Sequence, residues 1–205
     1  MRLVLLAESS ADEAAIRILT EAIRGPAVRW LEPPTFRSRG WPAVVGQLPT
    51  VIRHAHYNSD ATAVIAVVDT NDSPLHDAAH SGTPNPDCRL CALRTAAEET
   101  LAQLTPIAGR TALRVALGAA TPAIEAWYLS GEKPYPSEQT WAAGGARGYD
   151  KKGLKRSVYG TDRANLPLMT RVAMAEAARL AAKLELLRTH FPRGYGALEA
   201  ELLAL

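Results

Sequence analysis

An α/β fold, with a mostly parallel sheet, helices on both faces and further helices at the C-terminus, follows from three features of the sequence. Ala63-Val64-Ile65-Ala66-Val67-Val68 is a short, β-branched apolar run that stops at Asp69. Free of polar residues, it reads as a strand buried on both faces, as in the middle of a parallel sheet. Leu3-Val4-Leu5-Leu6-Ala7 is a second run of that kind and stops at Glu8. Segments of helical period separate these runs, which is the βαβ pattern.

The elements follow in order. After the first strand, Ser10 stands three residues before Glu13, the spacing of a capping box. Ala14, Ile16, Leu19 and Ile23 recur near helical period, and Gly25-Pro26 stops that helix. Val28 to Leu31 reads as a more exposed strand. Thr35 to Pro42 reads as a basic connecting loop carrying Arg37 and Arg39, and a helix is expected from Pro42 to about Tyr57. A long loop follows Asp72. Asn85-Pro86 has the form of a cap followed by proline and predicts a helix carrying Leu90, Leu93, Ala97, Leu101 and Leu104. Thr111 to Gly118 reads as another strand. Thr121-Pro122 repeats the cap-proline form before Ile124-Glu125-Ala126-Trp127. Gly131 to Gly160 is rich in Gly, Pro and Lys, and groups Lys151, Lys152, Lys155 and Arg156. A long Ala/Leu-rich helix is expected from about Asn165 to Thr189, its Leu180, Leu184 and Leu187 serving as core or as a dimer seam. Tyr195 to Leu205 closes the chain as one more helix.

At 205 residues the chain suits one α/β domain, with a helical extension from about residue 161. A net charge of +2 neither demands nor excludes nucleic acid, so any basic surface is local. The opening apolar run is only a strand long and is followed by Glu8, Asp12 and Glu13, unlike a signal peptide. No apolar segment approaches the roughly 20 residues of a membrane span. A cytoplasmic location without membrane contact is expected. There is no Walker loop, Gly-x-Gly-x-x-Gly or Gly-x-Ser-x-Gly, so ATP-driven, dinucleotide and serine-hydrolase readings have no motif behind them.

Acids at the carboxyl ends of neighbouring parallel strands emerge where open α/β folds place their sites. Glu8, Asp69, Asp72 and Glu125 are the candidates. Carboxylates crowded together need a cation or a proton between them, and hard oxygen ligands suit Mg²⁺ or Mn²⁺. Glu8 and Asp72 also fit as partners of helix N-termini, and Glu125 fits either as a favourable charge on a helix dipole or as a site residue.

Strand-Glu8 before a helix, followed by strand-Asp69-Thr70-Asn71-Asp72, resembles the TOPRIM domain of primases, topoisomerases and OLD-family nucleases. The order of features is most similar to that of small bacterial TOPRIM-like proteins, across roughly residues 1 to 160 and at scattered motifs. The resemblance implies a TOPRIM/Rossmann-like sheet and metal-dependent phosphodiester hydrolysis. In it Glu8 binds metal or shuttles a proton, and Asp69 is the leading metal ligand. The second aspartate of the family's Asp-x-Asp falls on Asn71, leaving Asn71 or a shifted Asp72 as oxygen ligand. Ser9 stands where the family has glycine. The late lysine of the nuclease branch corresponds to Lys152 or Lys151. Arg37, Arg39, Lys151, Lys155 and Arg156 would then steer a nucleic-acid backbone without reading sequence. The departures at Asn71 and Ser9 favour a second reading, a TOPRIM-shaped binding module without turnover. A nucleotide phosphoryl-transfer enzyme is a third. A partner protein or a homodimer fits any of these.

His76-x₃-His80 with Cys88-x₂-Cys91 has the ligand types and spacing of tetrahedral zinc. A structural ion would offset the conformational entropy of ordering the long loop. The bland alternative is two buried thiols and two solvated imidazoles.

Overall fold

The computed structural model describes residues 1–34, 40–71, 73–132, 137–142 and 151–205. Of the candidate residues, Arg37, Arg39 and Asp72, and the side chain of Lys151, lie outside the described residues. The elements are β1 (Arg2–Ala7), α1 (Ser10–Arg24), β2 (Arg29–Leu31), α2 (Trp41–Tyr57), β3 (Ala63–Asp69), α3 (Ala79–Gly82) and α4 (Arg89–Ala102). Then come β4 (Arg114–Ala120), α5 (Ile124–Tyr128), α6 (Glu138–Ala142), α7 (Lys151–Tyr159), α8 (Leu166–Ala181) and α9 (Leu184–His190). A π-turn (Pro192–Gly196) and α10 (Ala197–Ala204) complete the chain.

The four strands form one sheet in the order β2-β1-β3-β4, every pair parallel. Alternation along β1 and β3 splits the core in two. Leu3, Leu5, Ile65 and Val67 face α1, α8 and the C-terminal helices, whereas Val4, Leu6, Val64, Ala66 and Val68 face α2 and α4. An apolar run without polar alternation is what burial on both faces requires. Leu180 and Leu187 are fully buried and Leu184 packs against the same cluster, so all three belong to the core. The outer edge of β4 is covered by α10, where a Glu201 carboxylate oxygen accepts the Leu117 N–H at 2.5 Å. Gly194 lies against the end of β4, and a Cβ there would stand 2.6 Å from the Ala119 carbonyl oxygen.

Several boundaries differ from the sequence reading. Ser9, not Ser10, caps α1, its hydroxyl accepting the Asp12 N–H at 3.2 Å. Asn85-Pro86 forms a turn in which the Asn85 side chain accepts from Asp87 N, and the helix starts three residues later, at Arg89. Thr121-Pro122 is a cis peptide ahead of α5, whose first amide is capped by Asp69 instead. The expected strand Thr111 to Gly118 runs from Arg114 to Ala120. The Gly/Pro/Lys-rich stretch contains α6 and α7, and the expected long C-terminal helix is interrupted between Ala181 and Leu184. No helix among the described residues is long and apolar enough to cross a membrane.

Candidate functional site

Register brings Glu8 and Asp69 together. Ala7 pairs with Val67 and Asp69 with Ala120, so β1, β3 and β4 end at one edge of the sheet. A Glu8 carboxylate oxygen accepts the Asp69 N–H at 2.9 Å, and the Asp69 carboxyl accepts the Ile124 N–H at 3.0 Å. A pocket of about 140 Å³ opens there, lined by Glu8, Ser9, Asp12, Gly40, Asp69, Glu125, Lys155 and Met169. Four carboxyl groups thus face one ammonium. Glu125 is buried, and the Tyr159 hydroxyl donates to it at 3.4 Å.

The electrostatics follow from that crowding. Burial, and then the charges of Asp12, Glu125 and Glu8, push Asp69 well above the usual carboxylate range. Asp12 is pushed up to about 7, first by burial and then by Glu125 and Glu8, against the lowering effect of the Ser9 contact. Such groups hold a proton or take a cation.

A first expected outcome concerns pH. Asp12 has a folded-state pKa above its unfolded value, so between about pH 4 and pH 7 the native state binds more protons than the unfolded one. Without divalent cations, stability is therefore greatest at the acid end of that window and falls as pH rises through it. Chemical denaturation at a series of pH values in a chelator checks this, and Asp12→Asn is expected to flatten the slope.

The remaining candidates are placed as follows. Asn71 adopts a left-handed conformation (φ 47°), donates its N–H to the Pro122 carbonyl at 2.7 Å, and does not line the pocket. Lys152 is exposed on α7, whereas Lys155, one turn on, lines the pocket. Arg156 is exposed and pairs with Asp162 at 2.9 Å. Sequence reasoning missed Asp12 and Arg89. Asp12 carried a signal, since a residue four after Glu8 and three after the cap returns to the same helix end. Arg89 donates to the Asp69 carbonyl at 2.9 Å and stands 3.7 Å from Glu8.

A second group lies beyond the end of β3. His76, His80, Cys88 and Cys91 bring one ligand atom each to within 4.8 Å of the others, and together could hold a metal ion. Among the described residues, no other set of three or more His, Cys, Asp or Glu side chains gathers in this way. His76 Nδ1 is 3.4 Å from Cys91 Sγ and 3.7 Å from Cys88 Sγ. Tetrahedral zinc, with Zn–S of about 2.3 Å and Zn–N of about 2.0 Å, sets that edge at about 3.5 Å. His80 Nδ1 is buried without a hydrogen-bond partner, while its other ring nitrogen lies 3.4 Å from Asn85 Nδ2. Burial, together with Arg94 and His80, lowers the pKa of His76 and favours the neutral, ligating imidazole. Burial raises that of Cys88, which keeps the thiol protonated unless a cation displaces the proton.

No protein-family model matches the chain, and neither does any curated protein or solved structure. The functional reading therefore rests on these two sites.

Proposed function

We propose that this protein is a divalent-cation-dependent enzyme that hydrolyses phosphodiester bonds in nucleic acid, with a separate structural zinc. The observation that carries the reading is the small pocket at the carboxyl edge of β1, β3 and β4, lined by Glu8, Asp12, Asp69 and Glu125. Oxygen-only donors suit Mg²⁺ or Mn²⁺, and the upward pKa of Asp69 and Asp12 marks a charge deficit that such an ion removes. When bound, the ion supplies charge neutralisation at the phosphoryl group and an acidified water. Lys155, which lines the pocket, is the residue placed to neutralise a phosphoryl oxygen, in the role the TOPRIM resemblance gave to Lys152 or Lys151. Ligand pockets for whole small molecules run to about 300–1,000 Å³. At about 140 Å³ this one admits an ion and a phosphoryl group, with the rest of the substrate lying outside. That favours a polymer over an enclosed nucleotide.

His76, His80, Cys88 and Cys91 are assigned to zinc and not to the hard cation, because thiolate and imidazole are its donors. All four positions are filled by protein, which makes the ion structural. Free, buried thiols fit the reducing cytoplasm.

One observation favours a binding module without turnover. The Glu8 oxygen is already engaged by the Asp69 N–H and lies beside Arg89. Incubating the purified chain with Mn²⁺ or Mg²⁺ and single-stranded DNA, duplex DNA, RNA and free nucleotides separates the readings. Cleaved polymer, lost on chelation, is the expected result. Chelation-resistant nucleic-acid binding without product identifies the binding module, and products from nucleotides alone move the activity to that class.

A further inference from the structure

Arg89 adjoins both sites. Its backbone stands between Cys88 and Cys91, at the first position of α4, and its N–H donates to the Ser73 hydroxyl at 3.0 Å. Its guanidinium donates to the Asp69 carbonyl at 2.9 Å, stands 3.7 Å from the Glu8 carboxylate and lies over the Trp41 ring at 5.1 Å. A residue whose main chain lies between two members of one ligand cluster and whose side chain pairs with the first acid of the other is a mechanical link between them.

We propose that Arg89 is a positioning residue that couples zinc occupancy to divalent-cation affinity in the acid pocket, an inference that rests on the assignments of both sites above. Zinc on Cys88 and Cys91 pins the first turn of α4. That fixes the guanidinium, which donates to the Asp69 carbonyl and stands against one Glu8 oxygen, leaving the other carboxylate oxygen for an ion. Release of zinc frees this turn and withdraws the guanidinium, leaving Glu8 with the Asp69 N–H contact. Coupled sites differ by a common factor in both directions, so Mn²⁺ must tighten zinc as much as zinc tightens Mn²⁺.

The test is a Mn²⁺ titration, read from the paramagnetic resonance signal of the free ion, on the zinc-loaded and zinc-stripped full chain. Stripping is expected to weaken Mn²⁺ binding about tenfold, within the usual range for coupled sites. Arg89→Met is expected to weaken it similarly with zinc content unchanged, and stripping zinc from that variant to add little. Arg89→Lys restores part of the affinity. A chromophoric chelator competing for zinc, with and without Mn²⁺, reads the reciprocal shift. Mn²⁺ affinity that is indifferent to zinc, or to Arg89→Met in zinc-loaded protein, overturns the coupling alone. Zinc-loaded wild-type protein that binds no Mn²⁺ overturns the acid-pocket assignment, and the coupling with it. The Arg89→Met measurement on zinc-loaded protein decides the matter even where stripping unfolds the chain.

Discussion

Replacing Asp69 by asparagine is expected to abolish Mn²⁺ binding and lower cleavage by at least about a hundredfold, while making the metal-free protein more stable. The two effects have one cause. The Asp69 carboxyl is pushed well above its ordinary range by burial and by the charges of Asp12, Glu125 and Glu8. In the absence of a cation that is a cost of folding, because a charge must be suppressed or a proton taken up. Asparagine removes the charge yet keeps an oxygen to accept the Ile124 N–H, so the one hydrogen bond that ties β3 to α5 through this side chain survives. The gain is about 1–2 kcal/mol, the size typical of a single stabilising substitution. For a domain of this length that is roughly 2–8 °C in Tm. Thermal melts with and without Mn²⁺ read both effects together. Wild type rises with the ion and the variant does not. A variant that melts lower than wild type and still responds to Mn²⁺ would make Asp69 a structural acceptor, and the acid pocket would lose its leading ligand. Loss of cleavage follows from the loss of electrostatic stabilisation, which single-group deletions set at about 10²–10³.

The division between what the sequence disclosed and what it withheld follows the range of the interactions. The strands were legible because burial on both faces leaves no polar position in Leu3–Ala7 or Val64–Val68, and the acids at their ends came with them. Register then did the rest, as the two strand ends lie level only if both run parallel. Asp12 was harder to see, because an acid in the first turn of a helix is equally at home there for the sake of the dipole. The choice of Lys155 over Lys152 depends on which side of α7 is buried. Leu154 and Tyr159 set that side, and Lys155 shares a face with Tyr159 four residues on. A nine-residue helix in a Gly/Pro-rich stretch gave no such frame in advance. Arg89 was hidden by its neighbours, since Cys88-Arg89-Leu90-Cys91 draws the eye to the thiols. Its reach to Glu8 spans eighty-one positions of chain and exists only once α4 is docked on the sheet. The shifted start of α4 has a local reason. The Asn85 side chain satisfies the Asp87 amide, so Asn85-Pro86 closes a turn and does not open a helix.

Removing zinc, or replacing Cys91 by alanine, is expected to lower Tm by about 8–16 °C and to open the segment between β3 and α4 to proteases. The magnitude is what distinguishes a metal centre from ordinary packing. Cys88 and Cys91 are 1% and 4% exposed, and as small buried hydrophobes each would contribute only a modest transfer term. Deleting one sulfur from a core would then cost about 1 kcal/mol, on the order of one buried methylene. An ion held a thousandfold above its dissociation constant contributes about 4 kcal/mol. At about 2–4 °C per kcal/mol for a chain of this size, that gives the stated shift. The segment has little else to order it. Among the described residues between Asp69 and Arg89, the sole helix is the four-residue α3, and His76 and His80 reach the core through contacts with the thiols and Asn85. Metal analysis beside the melts completes the argument. Close to one zinc per wild-type chain, lost in Cys91→Ala together with the stability, is the expected pairing. A zinc-free wild type with a Cys91→Ala loss of about 1 kcal/mol would reduce the four residues to core thiols beside two imidazoles, and Arg89 would then owe its position to α4 packing alone.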